Sequence, residues 1–149
     1  MPKVLSAESV ALLRGSSYPE PFKSRMGDRV RRRLGDAFEL QQFGVNLVEL
    51  QPGAQSALRH WHTHEDELVY ILAGELVLVT DDGEQIVRAG DCAGFRAGIA
   101  DGHHMINRSQ APARYLEIGT RYEEDMAHYP EDDMMWKDDK PHRKDGTPY

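Results

Sequence analysis

Cysteine is nearly missing from this sequence: Cys92 stands alone among 149 residues. No internal disulfide can form, and one sulfur cannot build a thiolate-rich zinc site. Long apolar runs are missing too. Nothing approaches the roughly 20 residues of a membrane-spanning helix, and Met1–Gly15 lacks a basic start followed by an apolar block. Basic excess is also absent. Lys and Arg number 18 against 25 Asp and Glu, and the formal charge of -7 argues against a generic nucleic-acid binder. There is no internal repeat and no low-complexity tract. The expectation is a soluble, cytoplasmic protein of one domain, with neither nucleic acid nor membrane as partner. A chain of this length buries roughly 70% of its unfolded surface on folding.

Residues 1–36 read as an irregular N-terminal arm. Ser6–Leu13 suits a short helix, with Ser6 as its N-cap, Glu8 and Ser9 in the first turn, and Gly15 as its end. Tyr18-Pro19-Glu20-Pro21-Phe22 reads as extended, because each proline disfavours the helical region in its predecessor. Arg29-Val30-Arg31-Arg32-Arg33 follows, within a stretch from Glu20 to Asp36 that holds six basic and three acidic residues. With no aromatic residues interleaved, it reads as an exposed strand or an interface paired with acidic groups.

Residues 37–122 carry dense strand signals. Phe43–Leu50, Ser56–His62, Leu68–Leu72, Leu76–Thr80, Gln85–Arg88, Cys92–Phe95, His103–Asn107 and Arg114–Thr120 are short segments parted by turns such as Pro52-Gly53, Gly74 and Asp81-Asp82-Gly83. No helical period occurs between Phe38 and Thr120. The fold class is therefore all-β, an antiparallel sandwich or small barrel. Residues 123–149 close the chain as an extended acidic tail. From Arg121 onward there are nine acidic residues, five basic ones and three prolines, which suits a segment partly disordered or laid over the barrel.

Histidine is the residue in surplus. Seven occur, five of them in two short stretches, His60/His62/His64 and His103/His104. Strand alternation puts His60 and His62 on one face. Glu67 opens the next strand after a turn, so a hairpin brings it beside His62. Two imidazoles and a carboxylate in that arrangement form a facial set that holds a divalent metal with positions left open. A fourth ligand is available at His103 or His104. Adjacent strand residues face opposite ways, so one of the two reaches the metal.

These residues resemble the two signatures of the cupin superfamily. Gly53, His60, His62, Glu67 and Gly74 follow the first, with the interval from Gly53 to His60 one residue longer than usual. Gly90, Gly98, His103 and Asn107 follow the second, with Arg96 where proline is common and two extra residues before the histidine. The likeness covers about residues 43–120. A Tyr-Pro arm before the barrel and a Lys-Asp-Gly-Thr-Pro-Tyr ending are similar to a bacterial group of small single-domain cupins, some of them labelled sugar-phosphate isomerases. The resemblance implies a double-stranded β-helix, or jelly-roll barrel, with one divalent transition metal inside one mouth on His60, His62, Glu67 and His103. Iron, manganese, nickel, cobalt, zinc and copper all suit a nitrogen and oxygen set.

The remaining candidates read more plainly. His64 is expected in solvent and His104 turned away from the metal. Trp61, out of phase with the ligands, is expected on an outer face or subunit contact, and Glu65 and Asp66 in solvent. Cys92 reads as buried filler. Tyr70 and Tyr115 are weighed as general acids, with the alternation of Tyr70 counting against it, and no catalytic acid or base is assigned. The functional expectation is an enzyme on a small oxygen-rich ligand, with sugar or sugar-phosphate isomerisation first. A dioxygenase or lyase would use the same ligands, and a non-catalytic small-molecule sensor is the reading from another class. Small cupins commonly pair, so a homodimer is expected.

Overall fold

A computed structural model describes residues 3–149. Among the described residues thirteen strands run in chain order: β1 (Leu12–Arg14), β2 (Arg29–Arg33), β3 (Phe43–Leu50), β4 (Trp61–His62), β5 (Glu67–Ala73), β6 (Glu75–Thr80) and β7 (Gly83–Arg88) in the first part. β8 (Cys92–Phe95), β9 (His104–Ile106), β10 (Ala113–Thr120), β11 (Met126–His128), β12 (Met135–Lys137) and β13 (Lys140–His142) complete them. One helix of a single turn, α1 (Leu34–Ala37), lies between β2 and β3. Three antiparallel sheets result, ordered β1-β2-β3-β10-β5-β8, β13-β12-β11-β4 and β7-β6-β9. The all-β jelly-roll architecture is present. Among the described residues no helix is long and apolar enough to cross a membrane.

The period of two decides which residues line the interior. Along β5, Val69 and Ile71 are buried while Leu68, Tyr70 and Leu72 are 41–44% exposed. Register carries the same face across the sheet, through Val48 on β3 opposite Tyr115 on β10, and Tyr115 opposite Ile71. With Leu50, Leu76, Met105 and Val87 these residues form the barrel core. Burying each such side chain contributes roughly 1.5–3 kcal/mol relative to exposure. Asn107 is fully buried within this frame. Its amide donates to the carbonyls of Leu50 (2.8 Å) and Ala111 (2.9 Å), and its Oδ1 accepts from the amide and hydroxyl of Ser109. The second-signature asparagine thus ties the β9–β10 turn to β3. Gly74 turns the chain from β5 into β6 at φ +81°, where a Cβ would stand 2.7 Å from the Pro112 carbonyl oxygen. Only glycine fits there.

Three segments differ from their sequence-based expectations. Ser6–Leu13 is not a helix. A 3-10 turn covers Ala7–Ser9, the Ser6 side chain caps nothing, and Leu12–Arg14 pairs with β2. The sheet edge offers those backbone groups partners that a short isolated helix cannot match. Ser56–His62 is a strand only at Trp61–His62; before that, isolated contacts such as Ser56 N–H to Met105 O (2.8 Å) hold the chain. The tail after residue 123 is ordered into β11, β12 and β13, and β11 pairs with β4. Its few apolar residues suffice because they share a second core with the arm. Phe22, Met26 and Leu58 pack with Ala127, Tyr129 and Met134.

Candidate metal centre

Four side chains converge where the two histidine stretches meet. His60 and His103 are joined backbone to backbone, the His103 N–H donating to His60 O (3.0 Å) and the reverse bond measuring 3.3 Å. His62 ends β4 and Glu67 opens β5. Glu67 Oε2 lies 2.6 Å from His103 Nε2, and its Oε1 lies 3.1 Å from His62 Nε2 and 3.7 Å from His60 Nε2. His60, His62 and Glu67 stand close enough to share one ion, and His103 joins them through Glu67.

The far side of each imidazole is already engaged. Nδ1 of His60 donates to Leu58 O (2.7 Å), that of His103 to Asp101 O (3.3 Å), and that of His62 to Asp125 Oδ2 (2.6 Å). This fixes the rings with Nε2 turned inward, the usual preparation of a metal-binding histidine. Phe95 stacks flat on His103 at 3.6 Å, which holds that ring in place. Burial opposes ionisation of Glu67, yet hydrogen bonds from His103, His60 and His62 hold its carboxyl well below the usual range. Burial also opposes a charged His62, but Asp125 and Glu67 outweigh it and lift that ring to about 10. The donor set of three nitrogens and one carboxylate fits a borderline or hard divalent ion, and offers nothing to a thiophilic one.

Two of the cavities that reach this cluster approach it from different sides. One of about 320 Å³ is walled by Trp61, Glu65, Phe95, Arg96, Ile99 and Asp101. The other, of about 200 Å³, opens between the arm and the tail and touches His60, His62, Tyr18, Tyr129, Arg29 and Arg31. Tyr129 lies over the His60 ring at 5.6 Å and meets the Tyr18 hydroxyl at 3.3 Å.

Some of the remaining residues sit elsewhere than their sequence positions suggest, and others, His64, Asp66 and His104 among them, sit as expected. Trp61 lines the larger cavity and stacks on His128 (4.7 Å), because β4 is too short for strict alternation to carry it outward. Glu65 is not solvated. It is half-buried, accepts the Tyr122 N–H (3.0 Å), and burial pushes its carboxyl up. Asp66 is exposed and accepts the Ala97 N–H (2.8 Å), and His64 is exposed beside Thr63. His104 bonds the Ala57 carbonyl (2.8 Å) and stays outside the cluster. Cys92 is exposed, since it pairs with Tyr70 on the outer face of the sheet. Arg29, expected on an exposed strand, is only 7% accessible. Tyr70 is also outside, and Tyr115 is fully buried with a hydroxyl that touches neither cavity. Asp125, Tyr18 and Tyr129 carried no sequence signal. They come from the arm and tail, where no periodicity marks an inward face.

The chain matches the Cupin domain family over residues 46–119. A crystal structure of a sugar phosphate isomerase of the cupin superfamily from Silicibacter pomeroyi is 46% identical, with a TM-score of 0.92 over 98% of this chain and 96% of that one. A candidate sugar phosphate isomerase from Acidithiobacillus ferrooxidans is 27% identical, with a TM-score of 0.79 over 93% of this chain and 89% of its own. A Thermotoga maritima protein, described from its sequence as an oxalate decarboxylase, shares the fold at 21% identity and a TM-score of 0.65, over 80% of this chain and 99% of its own. No protein of curated function matches in sequence.

Proposed function

Because the chain belongs to the cupin superfamily, we propose that it is an enzyme holding one divalent transition metal on His60, His62, Glu67 and His103. Its substrate is a small oxygen-rich metabolite, and its reaction the isomerisation of a sugar or sugar phosphate. One observation carries this reading: all three imidazoles have Nδ1 bonded to an oxygen, so their Nε2 atoms face Glu67 together. The name given to the 46% identical relative supports the substrate class.

A metal bound there would supply Lewis-acid polarisation of neighbouring hydroxyl and carbonyl oxygens. The chain's own side chains do the rest. Trp61, Phe95 and Ile99 give the larger cavity apolar walls that keep water from part of the substrate. Glu65 is the proposed proton carrier, since it stands on that wall half-buried and its burial favours a carboxyl able to release and regain a proton.

Metal analysis of protein purified without chelator is expected to show about one ion per chain. Isomerisation through a carboxyl that exchanges its proton with solvent, as Glu65 on the cavity wall would, leaves deuterium on the carbon beside the carbonyl. Proton NMR of aldose and ketose phosphates incubated in heavy water with metal-loaded protein is therefore expected to show that exchange, and Glu65→Gln to lose it while keeping the metal. A loaded protein that exchanges nothing across the panel would remove the isomerase reading in favour of a binding module. Oxygen uptake would point instead to a dioxygenase.

The same sheet supports the expected homodimer. Leu68, Tyr70 and Leu72 lie 41–44% exposed on the outer face of β5, an apolar strip that a second copy of the chain would cover. Light scattering at micromolar concentration is expected to give twice the chain mass, and a Leu68→Lys/Leu72→Lys variant the chain mass itself. A monomeric parent protein would exclude this interface.

A further inference from the structure

Strand β2 carries five residues of which four are arginine, and they do not share a fate. Arg32 pairs with Glu8 (3.2 Å) and Arg33 with Asp36 (3.6 Å). Arg29 and Arg31 stand two apart, so they share the face that β2 turns toward the barrel interior, in register with Leu50 and Val48. Both line the smaller cavity beside His60 and His62. Among the described residues, no carboxylate lies within ion-pair distance of either. Arg29 is only 7% accessible, and its buried Nε has no hydrogen-bond partner.

A buried guanidinium without a counter-charge is costly, and proteins normally pair it or bind an anion on it. The nearest acidic residue on this wall is Glu117, which is already engaged by the Asn46 amide (3.1 Å). Two positive charges therefore face one negative charge across a cavity of about 200 Å³. Burial and the positive neighbours Arg29 and Arg33 depress the Arg31 guanidinium from its ordinary value, against the smaller opposing pull of Glu117 and Asp36.

We propose that Arg29 and Arg31 form an oxyanion subsite, which binds a phosphate or carboxylate group of the substrate while another part of the molecule reaches His60 and His62. Planar guanidinium groups suit this, because each presents paired N–H donors to two oxygens at once. The subsite rests on the proposed metal centre only for what the rest of the substrate does. It makes the ligand a small anionic metabolite and gives it a direction in the barrel, with the charged end toward the arm.

The test uses the full chain, first freed of metal so that no ion can capture the probe. Inorganic phosphate and malonate are titrated separately by calorimetry, which tells a phosphate site from a carboxylate site. At least one is expected to bind saturably, one per chain. Arg31→Gln, at a half-buried position, is expected to weaken that binding tenfold or more, the range of a lost charged hydrogen bond. Arg33→Gln is expected to leave it unchanged. Arg29→Lys keeps the charge at the buried position, loses the fork, and is expected to weaken binding as well. Circular dichroism confirms that each variant is folded. Binding of neither anion, or equal binding by Arg31→Gln, would overturn the subsite. A separate metal titration keeps the two readings apart: anion without metal sinks the metal centre alone, and metal without anion sinks the subsite alone.

Discussion

Glu67→Gln is expected to weaken divalent metal binding by more than a hundredfold, beyond the 10–100-fold cost of removing an outer partner of a ligand. Glutamine keeps the shape of glutamate but not its charge. At this position Oε2 is 2.6 Å from His103 and Oε1 is 3.1 Å from His62. The metal-free protein should suffer too, because removing one partner of a buried charged pair costs roughly 3–5 kcal/mol. The sign with pH is definite. The Glu67 carboxyl is held below its unfolded value, so its contribution is present above the ordinary carboxylate range and fades as pH falls through the depressed value. The variant should therefore lose stability chiefly at neutral pH and approach the parent protein in acid. Metal titration and melting temperatures measured on both proteins over the same pH series check this. An unchanged metal affinity would strike Glu67 from the ligand set.

Asp125→Asn should lower metal affinity by about 10–100-fold without removing a ligand. Asp125 does two things at once. Oδ2 accepts from His62 Nδ1 (2.6 Å), and Oδ1 accepts the backbone N–H groups of His64 (2.9 Å) and Glu65 (3.1 Å). It thus orients the His62 ring and shapes the turn that leads to Glu67. It also helps lift His62 to about 10 against the opposing effect of burial. A raised histidine stabilises the folded chain fully below its unfolded value near 6.5, and that stabilisation disappears as pH climbs toward 10. Metal must displace the same proton, so in the parent protein metal binding tightens with pH and releases a proton. With asparagine, the alkaline loss of metal-free stability should shrink, and fewer protons should leave on metal binding. Calorimetry in two buffers of different ionisation enthalpy counts those protons. Equal counts and equal pH profiles would show that Asp125 does not act through His62.

The parts of this molecule that can be read from sequence are those governed by short-range periodicity. Alternation along Phe43–Leu50 and Leu68–Leu72 announces strands with one inward face, and the spacing of His60, His62 and Glu67 follows from a hairpin. The asparagine of the second signature is legible from its spacing after His103, and two of its three partners, Ser109 and Ala111, lie a few residues away. What stays hidden depends on distant pairing. Nothing in Leu12–Arg14 says that β2 will offer it an edge, so Ser6 looks like a helix cap. Cys92 looks like core because its neighbours are apolar, while its side depends on register with Tyr70. Asp125, Tyr129 and Trp136 belong to a stretch whose composition reads as solvated. Their inward placement comes from a core of only a few residues, shared with Tyr18, Phe22 and Met26 of the arm.

The pairing of β11 with β4 also sets an order of events as the chain is made. His62 leaves the ribosome 63 residues ahead of Asp125, its ring partner. At synthesis rates of 5–20 residues per second, that gap lasts roughly 3–13 s. During that interval the barrel strands can begin to pair, yet the His62 ring is free to turn and the turn before Glu67 lacks its anchor. Loading of the proposed metal centre would thereby wait for Asp125, which lies within the last fifth of the chain. A nascent chain caught earlier would offer an ion its histidines and Glu67 without the carboxylate that orients the His62 ring.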